Sequence, residues 1–481
     1  MRRLWPRIVI PLVALLVVAA GTLAALHLSG NLPGGLVGGP TPTPAATRPL
    51  DPDPVAAGAV LPGEPVPSSS ASASASASAA PTSPELPTLP EKQLVEALTG
   101  GALGPDPGAV VVDLGTGTEL LSRDPATART PASVAKLATG AAALLRLDPG
   151  SRLRTRVVEG SSPGQLVVVG AGDASLSSRR PSGRYFPLRA SLPGLADAVA
   201  AGLRTAGLDQ VSLAVDDSLF SGPAVSPDWP VTYVGSGVVS PVSALSVDAG
   251  RVAPGSDARE PDPALAVGRD LSRLLSRRGV TVTGEVTRVT APAGATEVGA
   301  VESPTVAELV ELMLQTSDND LAEALLRLVA TGSERPGSFA DGRAVVAEVL
   351  DELGVAGPTT SLLDGSGLAR GSMVAPQTLA GLLAVAADGD RPALWHLLTG
   401  MPVAGFTGTL AARFLPGEAG GGEGAGEIRA KTGTLTGVST LAGTATVDDR
   451  PVAFVVMAGG VTDTLAARAA LDRFAALVAD G

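Results

Sequence analysis

Residues 130–140, TPASVAKLATG, place Ser133 and Lys136 three positions apart at the start of an apolar segment that runs to about Leu147 and stops at Pro149-Gly150. Thr130 followed by Pro131 reads as an N-cap and a first helical position, so Ser133 falls about third in a helix. Its backbone N–H then lacks an intrahelical partner. Apolar residues on every face imply that this helix is buried. Positions three apart share a helix face, which brings the Ser133 hydroxyl and the Lys136 amine within hydrogen-bond reach. In an apolar setting such a pair can serve as nucleophile and base, with the unpartnered N–H ready to donate to an oxyanion. By itself the motif is weak, because three lysines among abundant serines give on the order of 0.25 chance matches.

Two further constellations lie downstream. Ser317-Asp318-Asn319 falls in a short turn between a helix capped by Ser303-Pro304, running to about Gln315, and a second helix opened by Asp320 and running to about Thr331. A hydroxyl and an amide in such a turn can project into a cleft; the alternative is a simple helix cap. Lys431-Thr432-Gly433-Thr434 begins a run of three strands, where a glycine lets another backbone or a ligand approach closely. Here the alternative is a surface lysine beside a bulge. Two of the three lysines, Lys136 and Lys431, fall in these motifs, on a helix and a strand that bracket the turn. That joint occurrence outweighs the separate alternatives.

Around the motifs, Glu91–Leu98 reads as a helix and 109–121 as a hairpin about Gly115-Thr116-Gly117. Ile428–Leu435, Ser439–Val447 and Val452–Gly459 read as successive strands, with Asp448-Asp449 at a hairpin, and Thr464–Ala479 closes the chain as a helix. Terminal helices flanking an antiparallel sheet give an α/β (α+β) sandwich. Residues 151–298 have a different texture. They hold short strands (165–170, 211–215, 280–289), helices (193–205, 263–278) and Pro/Gly turns, as expected of a mixed domain inserted between a first part, 91–150, and a second, 299–481.

Ser133-x-x-Lys136, Ser317-x-Asn319 and Lys431-Thr432-Gly433 resemble the three motifs of penicillin-binding proteins and serine β-lactamases. LVVVGAGDASL (166–176), DDSLF (216–220), SDNDLAEALL (317–326), DGSGLAR (364–370) and AKTGTL (430–435) resemble the peptidase family S13 D-alanyl-D-alanine carboxypeptidases, the low-molecular-mass class C penicillin-binding proteins. The resemblance covers about residues 91–481, including the gap of about 180 residues between the first two motifs, where that family inserts extra domains. It implies a β-lactamase/transpeptidase-like fold and an acyl-enzyme on Ser133, with peptidoglycan stem peptides as substrate and β-lactams as inhibitors. Lys136 is then the general base, Lys431 its electrostatic partner, Ser317 a proton relay and Asn319 a contact for the substrate amide. The N–H groups of Ser133 and Thr434 would form the oxyanion hole, and the Thr434 and Thr436 hydroxyls would hold the terminal carboxylate, with Thr432 and Gly433 lining the same strand. Asp216 and Arg370 match an acidic and a basic position that meet the amphoteric end of a diaminopimelate side chain. No metal or cofactor is implied. The alternatives are a non-catalytic wall-binding scaffold and a β-lactamase.

Composition narrows the field. The 481 residues carry a net charge of -12, which disfavours nucleic acid as a partner. With no cysteine there is no thiolate nucleophile or disulfide, and of the two histidines only His396 lies outside the N-terminal apolar run. A Ser-His-Asp site therefore has a single candidate base. Arg2, Arg3 and Arg7 precede an uncharged stretch, Ile8–Leu28, of about 21 residues, long enough to span a bilayer with everything after it outside the cytoplasm. Small residues near Ala24 and Ala25 also permit cleavage, which would leave a secreted protein. Residues 29–90 are rich in Pro, Ala, Ser, Thr and Gly and read as a disordered stalk.

Overall fold

The computed structural model describes residues 86–183, 186–417, 422 and 424–481, which belong to one compact unit. The expected N-terminal anchor or signal peptide and nearly all of the expected stalk lie outside the described residues.

The catalytic-motif part is built on a five-stranded antiparallel sheet in the order β2-β1-β10-β9-β8. Its strands are β1 (Gly108–Asp113), β2 (Glu119–Arg123), β8 (Arg429–Leu435), β9 (Val438–Val447) and β10 (Arg450–Gly459). The chain thus closes its sheet by laying the C-terminal hairpin beside the N-terminal one, with Val110 opposite Val455. Alternation along β10 sorts its side chains between two cores. Val452, Phe454 and Val456 pack under the first helix, α1 (Glu91–Thr99), and the last, α9 (Thr464–Asp480), with Leu94, Leu98 and Phe474. Ala453, Val455 and Met457 face a larger helical core on the other side. Each fully buried Phe or Val contributes roughly 1.5–3 kcal/mol.

That larger core is centred on α2 (Lys136–Arg146), buried over Lys136–Leu144 as its apolar faces imply. It is wrapped by α5 (Val306–Thr316), α6 (Asn319–Gly332), α7 (Phe339–Glu352) and α8 (Pro376–Ala387). Packing is tight enough that a Cβ on Gly140 would stand 2.9 Å from Leu397 Cδ2 and 3.1 Å from Val310 Cγ1.

A second five-stranded sheet, β6-β5-β4-β3-β7, lies between the first two motifs in sequence. It comprises β3 (Arg152–Glu159), β4 (Gln165–Val169), β5 (Gln210–Asp216), β6 (Thr281–Arg288) and β7 (Glu297–Thr305). β4, β5 and β6 run parallel, while β3 pairs antiparallel with β4 and β7. α3 (Leu192–Ala206) and α4 (Pro263–Ser276) share a core with it.

Three local expectations are corrected. Thr130 does not cap α2; it donates to the Arg370 carbonyl at 3.1 Å, and Ala132–Ala135 form a 3-10 turn before the α-helix begins at Lys136. Ala132 has φ +49, which bars a continuous α-helix from Pro131. Ser303-Pro304 lies within the last residues of β7, and the cap of α5 is Thr305, whose hydroxyl accepts from Glu308 N while Glu308 accepts from Thr305 N. Finally, α6 starts at Asn319 because Asp318 caps it, accepting from Leu321 N at 2.9 Å.

Candidate active site

The three motifs converge at the edge of the first sheet. Ser133 sits in the 3-10 turn, Ser317 and Asn319 at the α5–α6 corner, and Lys431 on edge strand β8. The corner needs Ser317 in the left-handed region, at φ +56, which ends α5 and lets Asp318 cap the next helix.

Strand β8 approaches the Ser133 turn backbone to backbone. A Cβ on Gly433 would stand 2.1 Å from Thr440 Oγ1, 2.7 Å from Pro131 O and 3.0 Å from Ser133 N. Thr440 in turn donates to Pro131 O at 2.8 Å, tying β9 to the same turn. From the opposite side a Cβ on Gly367 would stand 1.9 Å from Ala132 O. Two glycines thus let the chain close around Ser133 from both sides.

Lys136 is fully buried, with Nζ 3.0 Å from Ser133 Oγ, 2.8 Å from Asn319 Oδ1 and 2.8 Å from Ser366 O. Burial pulls its pKa down to about 8, against an opposing pull from Glu323, Asp364, Asp318 and Asp320. Desolvation is therefore the main cause that prepares this amine. The geometry has a chemical consequence. A neutral amine has two N–H groups and one lone pair, and Asn319 Oδ1 and Ser366 O can only accept. They take both hydrogens, and the lone pair is left for the Ser133 hydroxyl.

Lys431 is also fully buried and donates to Ser317 Oγ and to Thr432 O, both at 2.8 Å. Burial first, and the Lys136 charge second, hold its pKa well below the usual lysine value. The candidate site thus holds two hydroxyls, each beside its own desolvated lysine. Thr434 and Thr436 are exposed on the strand and turn beyond it, and Thr432 shares a 3.1 Å hydroxyl contact with Thr409.

Arg370 is exposed and donates to the Thr436 carbonyl, which places it at the turn after β8. Asp216 has a different setting. It ends β5, is 6 % exposed, and accepts from Ser218 N at 2.9 Å and Ala291 N at 2.8 Å. One oxygen thus braces its own turn and the other holds the segment that follows β6, and among the described residues no hydrogen bond or ion pair joins Asp216 to a motif side chain. His396 bonds Glu311 at 2.7 Å, and no hydrogen bond joins it to Ser133.

Beneath Lys136 lies a buried framework that the motif spacing does not reveal. Glu323 accepts from Gly365 N at 3.1 Å and Ser366 N at 2.8 Å, while Asp364 accepts from Trp229 Nε1 at 2.8 Å, Gly367 N at 2.9 Å and Ala369 N at 2.7 Å. Together they shape the loop that presents Ser366 O to Lys136. Burial raises both carboxyls above their usual range, and for Glu323 the neighbouring Asp364 adds to the rise. Arg327, one helical turn after Glu323, is 1 % exposed and lies over the Phe339 ring at 4.2 Å. Charged residues spaced three and four apart in an otherwise apolar helix were the available sign of this framework.

Comparison with known proteins agrees with this geometry. The chain is 36% identical over 358 residues to a carboxypeptidase of Mycobacterium tuberculosis, covering 73% of this chain and 76% of the relative. It is 34% identical over 424 residues to the carboxypeptidase DacB of Mycolicibacterium smegmatis, covering 86% and 90%. The fold is similar to that of penicillin binding protein 4 from Haemophilus influenzae, with a TM-score of 0.66 at 23% identity over 80% of this chain and 98% of that one. The model of the D-Ala-D-Ala carboxypeptidase 3 (S13) family matches residues 91–261 and 254–480, and the chain belongs to that family.

Proposed function

We propose that this chain is a serine D-alanyl-D-alanine carboxypeptidase acting on peptidoglycan stem peptides. The observation that carries the reading is the Lys136 amine, desolvated, with both hydrogens committed and its lone pair left for Ser133. As Ser133 Oγ attacks the carbonyl carbon of the penultimate D-alanine, Lys136 takes the hydroxyl proton. The N–H groups of Ser133 and Thr434 receive the oxyanion. Collapse breaks the C–N bond, and the departing amine takes a proton from Ser317, which regains one from the Lys136 ammonium, so that Lys136 is neutral again and Lys431 serves to hold Ser317. Water then cleaves the ester on Ser133. A β-lactam follows the first half of this course, but its amine stays tethered to the acyl group.

The same chemistry serves a D,D-endopeptidase when the departing amine belongs to a neighbouring strand instead of a free D-alanine. Arg370, at the turn after β8, and Asp216 are assigned to the carboxylate and ammonium of a diaminopimelate end. A β-lactamase role needs a group that activates the deacylating water. Glu323 is poorly suited, being fully buried with each oxygen engaged by a backbone N–H. The intact lysine and serine pairs argue against a non-catalytic scaffold.

Arg2, Arg3 and Arg7 before Ile8–Leu28 support an outward-facing enzyme tethered to the cell membrane. Among the described residues no helix is long and apolar enough to cross a membrane, so a tether would reside in that N-terminal segment. Recovery of the full-length protein with membranes supports the tether; a mature form starting near Ser29 in the medium replaces it with a cleaved signal. The activity is tested by mass spectrometry of pentapeptide-bearing and crosslinked peptidoglycan fragments incubated with the full-length protein. Loss of one terminal D-alanine is expected, and unchanged fragments of both kinds would contradict the reading.

A further inference from the structure

A short strap, residues 237–240, crosses the N-terminal end of α6 and is pinned by successive contacts. Gly237 O accepts from Arg259 Nη2 at 2.6 Å, Val238 O accepts from Asn319 Nδ2 at 2.9 Å, and Ser240 N donates to Asp320 Oδ1 at 2.6 Å. Arg259 Nη1 reaches Asp320 Oδ2 at 3.1 Å and Ala249 O at 3.0 Å, and Ser240 Oγ donates to that same carbonyl at 2.6 Å. The Arg259 and Asp320 side chains are 2 % and 7 % exposed. At the start of the strap Gly237 has φ +75, and a Cβ there would stand 2.4 Å from Asp257 O. The strap is fixed on both sides of Val238.

Its position matters because of the Asn319 amide. With Nδ2 committed to Val238 O, Oδ1 must face Lys136 Nζ, 2.8 Å away. Turning the amide over would set two carbonyl oxygens against each other and would offer an N–H to the Lys136 lone pair. That lone pair is the one the reaction needs for Ser133.

We infer that the Arg259–Asp320 pair is a positioning device for Lys136: it clamps the strap, the strap orients the Asn319 amide, and the amide directs the Lys136 lone pair at Ser133. Neither Arg259 nor Asp320 touches the reacting atoms. The ion pair suits this task because it satisfies Gly237 O and Ser240 N at once, which an apolar pair of similar bulk would leave unpartnered, and it gives Ala249 O a second donor beside Ser240 Oγ. The inference rests on the acyl-transfer reading above. It gives the segment between the first two motifs a part in catalysis.

The test is the rate of acylation by a fluorescent penicillin, measured across pH on full-length wild type, Arg259→Ala and Arg259→Lys, each normalised to titrated active sites. Arg259→Ala should acylate about 10- to 100-fold more slowly per site. Its apparent pKa on the acid limb should fall, because a released amide no longer stabilises the Lys136 ammonium. Loss of the Arg259 charge acting through space has the opposite sign, since removing a nearby cation raises that pKa. Arg259→Lys should recover part of the rate, as an ammonium can hold Asp320 but cannot span both carbonyls. An unchanged rate per site, an unchanged pH profile or an upward shift would overturn the inference. If the alanine variant does not fold, the lysine variant carries the same comparison. Wild type that takes no label would instead overturn the acyl-transfer reading itself.

Discussion

Lys136 Nζ stands 3.0 Å from Ser133 Oγ while its other contacts, Asn319 Oδ1 and Ser366 O, are groups that can only accept. The neutral amine is the active form, and burial sets its pKa at about 8. Below that value Lys136 is protonated and cannot take the Ser133 proton. Acylation by a penicillin should therefore rise about tenfold per pH unit below the pKa and level off above it. Lys136→Arg should lower the rate by about 10²- to 10⁴-fold, because a guanidinium stays protonated in this range. Stopped-flow labelling across pH checks both; a rate that keeps rising to the ordinary lysine range would show that burial does not prepare this base.

Gly433→Ala tests the close approach of β8 to the nucleophile turn. The new Cβ meets Thr440 Oγ1 at 2.1 Å and Pro131 O at 2.7 Å, so the strand must shift. A stability loss of about 1–3 kcal/mol is expected, with a larger proportional loss of labelling, because the displaced strand carries Lys431 and Thr434. Thermal unfolding measured beside penicillin labelling checks this. Full labelling would mean that the gap between strand and turn is looser than described.

Arg370 and Asp216 separate by their surroundings. Arg370→Ala should weaken turnover of a peptide with a free diaminopimelate end far more than turnover of a simple acylated D-alanyl-D-alanine, because only the first loses a partner for its carboxylate. If Asp216 meets the ammonium, Asp216→Ala should show the same selectivity. Since Asp216 also braces Ser218 N and Ala291 N, its removal should lower the melting temperature as well. Steady-state kinetics on both substrates, with melting curves, decides. Equal losses on both substrates would leave the specificity assignment without support.

The sheet and the helices that carry the motifs were legible in the sequence because their signals are local: alternation in Val452–Gly459, the apolar run after Lys136, turn residues at Asp448-Asp449. Less legible was β7, where Gly299 and Pro304 interrupt a half-buried strand, and a Ser-Pro pair mimics a helix start with its cap two residues before the true cap at Thr305. The 3-10 turn at Ser133 escaped a helix reading because its cause is tertiary. Ala132 is held at positive φ between Gly367 and β8, contacts far away in sequence. The same holds for the site. Ser133, Lys136, Ser317, Asn319 and Lys431 were visible as motifs, whereas Ser366 and Val238 act through backbone carbonyls, which no residue type announces.

The central claim is that Ser133 is the acylated nucleophile, and peptide mapping by mass spectrometry after incubation of the full-length protein with a penicillin tests it most directly. The account predicts one adduct, on the peptide containing Ser133, absent from a folded Ser133→Ala variant that also releases no D-alanine. An adduct on any other residue, or labelling that persists in Ser133→Ala, would contradict it.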